Sequence, residues 1–326
     1  MRSILLTNNY DKSDVKPTEL LQEYQRLLEK DIQIFFKNVA LKNQACKACN
    51  SPSTEPAFSR LKLQYNECLS CGSLQVDDRP TTEQLSAFIE NSKAIPYWNE
   101  KLATSTAPER FKHIIQPRID WIAQGLSEYK NAASEIGIID AQPDYTEALK
   151  ALPNLSSPQN IHSLHSPDEN SISISSLQEE SLDACLAFEN FDASLHPRDD
   201  LGKVAKALNK GGLLFITSIL GSGFDIRVLR ERCESILPPD RMNLFTVEGW
   251  EILLRDTGFE ILEFSTPGSF DTNNVKNEIT TNNDFLQDKF VSYLFKNREQ
   301  KDLDAFQNFL QETLLSSYGR ILARKI

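Results

Sequence analysis

LDACLAFENFDASLHPRDDLGKVAKALNKGGLLFITS, residues Leu182 to Ser218, decides the fold. Leu182 to Phe188 is a short apolar run that reads as a strand. A polar turn carrying Glu189, Asn190, Asp192 and His196-Pro197 follows. Leu201, Val204, Ala205 and Leu208 then recur at helical spacing. Asn209-Lys210-Gly211-Gly212 is expected to stop that helix, because glycine takes the left-handed dihedrals a helix end needs. Leu213 to Thr217 reads as a second buried strand. Strand, crossover helix, strand is a βαβ unit, so this half of the chain is expected to hold a parallel sheet covered by helices.

Bulk properties narrow the class. The chain has 326 residues, 40% of them apolar, with a net charge of −11 and a mean hydropathy of −0.40. That length accommodates one large domain and a small one. No apolar run approaches a membrane span. The patch Ile4-Leu5-Leu6 is too short for a signal peptide. A cytoplasmic protein without membrane insertion is the expectation. The acidity argues against a bulk grip on nucleic acid.

Working outward, Leu20, Leu21, Tyr24, Leu27, Leu28, Ile32 and Phe35 form an apolar stripe on a helix starting near Pro17. Arg79 to Glu90 starts another helix, with Thr82 as its N-cap. Ala107 to Ile122 is helical around Pro117, and Trp121 and Ile122 are expected to pack on the following domain. Ser134 to Asp140 reads as a first strand, Tyr145 to Leu152 as its helix, and Ile161 to Leu164 and Ile172 to Ile174 as further strands. Thr246 caps a helix that ends at Gly258, Phe259 to Phe264 is a strand, and Arg320 to Ala323 is the last one. The expected division is a helical arm over 1–43, a zinc ribbon over 44–78, a helical cap over 79–129 and a Rossmann-like domain over 130–326.

Cys46-Lys47-Ala48-Cys49 and Cys68-Leu69-Ser70-Cys71 are separated by eighteen residues. Two such knuckles fit a structural zinc site, in which Cys46, Cys49, Cys68 and Cys71 close a tetrahedron of thiolates. Two disulfides or four free thiols are the alternatives, and a reducing compartment disfavours the first. Lys42, Lys47, Arg60 and Lys62 are few for a nucleic-acid ribbon. Cys185 and Cys233 stand alone and read as small buried apolar residues. His113 reads as a surface or capping histidine.

Taken together, the ribbon, Arg79-Pro80-Thr81, Tyr97-Trp98, Gln116-Pro117-Arg118, Ala187-Phe188-Glu189, Lys210-Gly211-Gly212, Ser222-Gly223-Phe224-Asp225, Pro238-Pro239-Asp240-Arg241 and Ser265-Thr266-Pro267-Gly268 occur in an order that resembles class I S-adenosylmethionine-dependent methyltransferases. The type resembled is bacterial, carries an N-terminal zinc ribbon and is associated with surface sugars. The resemblance implies an α/β, Rossmann-like methyltransferase sheet with helices on both faces, S-adenosylmethionine as cofactor beside structural Zn²⁺, and a small-molecule acceptor, plausibly a nucleotide-linked or glycan sugar. It also implies that Glu135, Gly137, Ile138, Asp140, Phe188 and Glu189 hold the cofactor, with Asp240, Arg241 and Asn243 facing the acceptor.

The chain departs from the family at the loop after the first strand. Relatives carry an acid followed by G-x-G-x-G, whereas here Glu135 and Gly137 are followed by Ile139 and Ala141 in the later glycine positions. No acid ends the second strand, leaving His165 or Asp168 as substitutes. Asp192-Ala193 stands where relatives often show Glu-His, and Ile236 to Leu244 lacks the Tyr-His-Glu-His stretch that supplies the base in ribbon-bearing sugar C-methyltransferases, so no catalytic residue is transferred from them. A second reading follows from these departures: a methyltransferase scaffold without cofactor, serving as a binding or assembly partner. The oligomeric state is not legible.

Overall fold

A computed structural model describes residues 10–37, 44–130, 133–139, 143–150, 160–164, 178–281 and 288–326. The expected strand at 172–174, together with Asp140, His165 and Asp168, lies outside these residues.

Ten strands are described: β1 (Thr54–Arg60), β2 (Leu63–Cys68), β3 (Leu74–Val76), β4 (Glu135–Ile139), β5 (Asn160–Leu164), β6 (Leu182–Phe188), β7 (Leu208–Ile219), β8 (Asn243–Leu244), β9 (Phe259–Ser265) and β10 (Tyr318–Lys325). The main sheet has the order β5-β4-β6-β7-β10-β9. Strands β5, β4, β6 and β7 pair in parallel, and β10 runs antiparallel to both its neighbours. This is a Rossmann-like α/β sheet, mixed through its one reversed strand.

Side chains alternate between the two faces with the period of two that a pleat imposes. On one face Ala184, Leu186, Leu213, Phe215 and Leu322 pack under the helices Gln116–Tyr129 and Pro143–Lys150. On the other, Cys185, Ala187, Leu214, Ile216 and Ile321 pack under the helices Pro197–Ala207 and Val247–Asp256. Trp121 meets Phe215 edge to face at 5.2 Å. Gly125 lets the helix approach this closely, since a Cβ there would lie 2.7 Å from Phe215.

A third core joins the N-terminal helix Thr18–Phe35 to the ribbon and to the chain around 226–244. Leu21, Tyr24, Leu28 and Ile32 are its buried stripe. The buried Asp31 on the same helix accepts hydrogen bonds from Ser92 Oγ and from the amides of Lys93 and Ala94 at 2.7–2.8 Å, fixing the cap helices to the arm.

Three boundaries differ from expectation. The N-cap of the helix Thr82–Asn91 is Thr81, which forms a capping box with Gln84. The helix expected to end at Gly211 ends at Ala207, and β7 begins at once. Gly211, at φ +75°, instead serves a register shift of β7 against β6, between the pairs Leu182–Leu208 and Ala184–Leu213. Lastly, the ribbon is not closed on itself: its sheet runs β1-β2-β3-β8, with the fourth strand taken from the large domain. Among the described residues no helix is long and apolar enough to cross a membrane.

Candidate functional site

The four cysteines of the ribbon converge. Cys46 Sγ lies 3.6 Å from Cys71 Sγ, Cys49 Sγ lies 3.6 Å from Cys68 Sγ, and all four sulfurs fall within 4.8 Å of one another. A tetrahedron with Zn–S of about 2.3 Å separates its sulfurs by about 3.8 Å, so this donor set fits Zn²⁺. Asn50 at φ 59° and Gly72 at φ 70° follow the second cysteine of each pair and turn the knuckles. Backbone amides are directed at the sulfurs: those of Ala48 and Cys49 at Cys46, and that of Ser73 at Cys71. A hydrogen bond from Cys46 holds the Cys71 thiol below the usual thiol range. All four positions are taken by protein sulfur, so a metal here is structural.

The ribbon is riveted to the large domain at this centre. Thr246 Oγ1 donates to the Cys71 carbonyl at 2.6 Å, Arg227 donates to the Gly72 carbonyl at 2.6 Å, and Arg198 donates to the Ala48 carbonyl at 2.6 Å. Buried Arg79 reaches the Ser194 carbonyl at 3.2 Å and also binds the Asn243 side chain. Asn243 donates in turn to the carbonyls of Phe191 and Ser194 at 2.9 and 2.8 Å. Asn243 is therefore committed to bracing the turn after β6 and does not line the cavity described next, where the sequence placed it facing an acceptor.

That cavity, about 850 Å³, opens at the C-terminal ends of β4 and β6. Ile138, Ile139, Phe188 and Glu189 form its floor. Asp240, Arg241 and Met242 come from the loop before β8, and Leu85, Phe88, Ile95, Trp98 and Arg110 from the cap. Lys16 and Tyr24 close it from the N-terminal arm. The arm is anchored over this mouth: Lys12 Nζ bonds Glu234 at 2.7 Å and Asn274 at 2.8 Å, and Tyr10 stacks on His113 at 4.0 Å.

Glu189 is the electrostatic centre. It follows β6 in the left-handed conformation, φ 66°, which costs a non-glycine residue about 1–3 kcal/mol and is kept only where the surroundings over-determine it. Here they do, because Arg118 Nη2 binds Oε1 at 2.5 Å and Arg241 binds Oε2. Burial alone would raise this carboxyl, but Arg241 and Arg118 outweigh it and hold it at about 2. Arg118 also donates to Tyr318 and Tyr145 hydroxyls at 2.9 Å each, and Tyr145 stacks on Phe188 at 4.6 Å. Behind Arg241 lies fully buried Asp192, which accepts from Ser218 Oγ at 2.6 Å and the Ile219 amide at 2.8 Å. Desolvation pushes Asp192 up to about 7, against the pull of Arg241.

The remaining positions named from sequence fall elsewhere. Glu135 opens β4 rather than closing it, and bonds His162 at 2.7 Å, at the opposite end of the strand from the cavity. Gly137 lies mid-strand, paired with His162 and Cys185. Both stand on β4 itself, whose cavity end is Ile138 and Ile139, and residues 140–142 lie outside the described ones. Ile139, in the second glycine position, sets a buried β-branched side chain in the floor where a glycine cradle leaves bare backbone. At this position the chain does not fit S-adenosylmethionine in the way a glycine cradle does. Lys16, Arg110, Arg118 and Tyr145 were not read as site residues. Arg118 had a signal, a lone arginine beside the buried Ile119, Trp121 and Ile122; Lys16 and Arg110 had none, being brought in by the arm and the cap.

No protein-family model matches this sequence, and no match is found among curated proteins. Solved structures do match in fold. A candidate sarcosine dimethylglycine methyltransferase of Galdieria sulphuraria is 16% identical, with 64% of this chain and 85% of that one covered and a TM-score of 0.41. An S-adenosylmethionine-dependent methyltransferase of Mesorhizobium loti is 11% identical over 65% of this chain and 100% of that one, TM-score 0.36. The [4+2]-cyclase SpnF is 14% identical over 63% of this chain and 81% of that one, TM-score 0.36. Strand order and strand direction define the α/β fold of this chain independently of these likenesses.

Proposed function

We propose that this chain is a methyltransferase-fold protein that binds a small molecule in the cavity between sheet rim and cap, without the cofactor cradle of that fold, and that its ribbon is a zinc-held brace for the site. The observation that carries this reading is Ile139, whose buried side chain stands in the cavity where the fold's glycine cradle leaves bare backbone. The charge of the cavity supports it. Arg118 and Arg241 are paired with Glu189, but Lys16 and Arg110 also line the space, and they disfavour a sulfonium donor with a net positive charge. Calorimetry of the full chain with S-adenosylmethionine and S-adenosylhomocysteine tests the reading; silence up to millimolar ligand is expected. Low-micromolar binding would overturn it.

A second reading, methyl transfer from S-adenosylmethionine to a small acceptor such as a nucleotide-linked or glycan sugar, is favoured by the location of the cavity at the C-terminal rim of parallel strands, with Ile138, Phe188 and Glu189 in its wall. The same titration decides between the two.

A further inference from the structure

Among the described residues two cations of the cavity have no hydrogen-bonded or ion-paired partner, and Glu189, which attracts both from a distance, is already shared by two arginines. Of the acids lining it, Glu189 is engaged by Arg118 and Arg241, and Asp200 accepts from Ser194 Oγ at 2.5 Å and Lys203 Nζ at 3.0 Å. Asp240 is pushed toward its neutral form by burial. Asp192, beneath Arg241, is likewise raised by burial. Among the described residues no hydrogen bond or ion pair engages Lys16 Nζ or the guanidinium of Arg110, which only stacks over Trp98 at 5.8 Å. Both line the cavity, in a chain whose net charge is −11.

Two like charges facing one desolvated space repel each other, and burial adds to the cost. Lys16 shows the strain: desolvation first, then Lys12, Arg241 and Arg110, lower it to about 8 against the opposing pull of Glu189. A natively empty arrangement of this kind is unfavourable, whereas one doubly charged anion between the two cations removes the repulsion. A carboxylate would leave one cation unanswered. A phosphate ester carries about −1.5 to −2 charges at neutral pH and has three acceptor oxygens, matching both an ammonium and a guanidinium fork. The wall beside these cations is apolar and aromatic, from Tyr24, Phe88, Ile95 and Trp98, and suits the organic part of such a ligand.

We propose that Lys16 and Arg110 bind the phosphate of a phosphorylated small molecule inside this cavity. The proposal rests on the cavity being a small-molecule site, and gives that site its ligand class. Lys16 caps the helix Lys12–Val15, whose first residue, Lys12, is bonded to Glu234, so its place in the cavity wall is fixed by the arm.

The test uses the full zinc-loaded chain at fixed ionic strength, with inorganic phosphate, sulfate and acetate as probes, followed by calorimetry and thermal unfolding. Phosphate and sulfate are expected to bind and raise the Tm, with acetate at least about tenfold weaker. Lys16→Gln and Arg110→Gln should each weaken phosphate by about tenfold, and the exposed control Lys301→Gln should leave it unchanged. Lys16→Arg should restore binding, which a folding defect would not. Equal affinities for acetate and phosphate, no phosphate binding at millimolar concentration, or unchanged binding in the double variant would overturn the proposal. S-adenosylmethionine titrated into the same samples reports separately: its binding would overturn the cofactor-free reading and leave the phosphate result standing on its own.

Discussion

Arg118 and Glu189 meet at 2.5 Å across the mouth of the sheet, one from the helix Gln116–Tyr129 and the other from the left-handed residue after β6. Both are largely buried, so this pair is strong in the sense that removing one partner strands the other.

Glu189→Gln should therefore destabilise the chain by about 3 kcal/mol at pH 7, through two arginines left in a desolvated wall. The pH dependence has a definite sign. The folded carboxyl titrates at about 2, below the unfolded value of about 4.3. Its contribution is present above the unfolded value and is lost as pH falls toward the folded one. Urea unfolding of wild type and variant at pH 7 and again near pH 3 should show the gap narrowing; a constant gap would mean the pair is not ionic.

Asp192 carries the opposite sign. Its folded carboxyl titrates at about 7, above the unfolded value of about 3.9. Its contribution is present below the unfolded value and is lost as pH rises to the folded one. Asp192→Asn should flatten the fall in stability between about pH 4 and pH 7. Denaturation midpoints across that interval check this, and an unchanged slope would count against it.

Zinc should be present at one ion per chain by elemental analysis. Chelation or Cys71→Ser is expected to loosen more than the ribbon, because Thr246 bonds the Cys71 carbonyl and β3 pairs with β8. Hydrogen exchange should rise over 238–246 as well as over 44–76. Faster exchange confined to the ribbon, or a folded protein without metal, would refute the coupling.

Ile139→Gly should not confer S-adenosylmethionine binding, since Lys16 and Arg110 still line the cavity. It should cost about 3 kcal/mol or more, from a lost buried side chain and added backbone freedom. Calorimetry and urea unfolding of one sample read both outcomes; cofactor binding by this variant would show Ile139 alone to be the obstacle.

The fold was legible because its strands are nearly pure apolar runs: Leu182 to Phe188 and Leu213 to Thr217 could hardly be anything else in a chain with helical spacing between them. The metal ligands were legible for a similar reason, since two C-x-x-C pairs carry their geometry in their spacing. The rim was only half legible. Phe188 and Glu189 follow directly from where β6 ends, but Glu135 and Gly137 were taken from an alignment to the family's loop, although they open and centre a strand whose end lies at the cavity. Lys16 and Arg110 could not be found from sequence at all. Their approach to Glu189 depends on the arm folding back over the cap, a contact between segments with no shared pattern.

Strand β8 lies in the large domain and completes the sheet of the ribbon. Gene fragments exchanged between relatives would carry three of its four strands and leave the last behind, with a hydrogen-bonding edge open on each side. A ribbon built this way cannot be cut from its host without unpairing β3 from β8, so neither piece is a self-contained module.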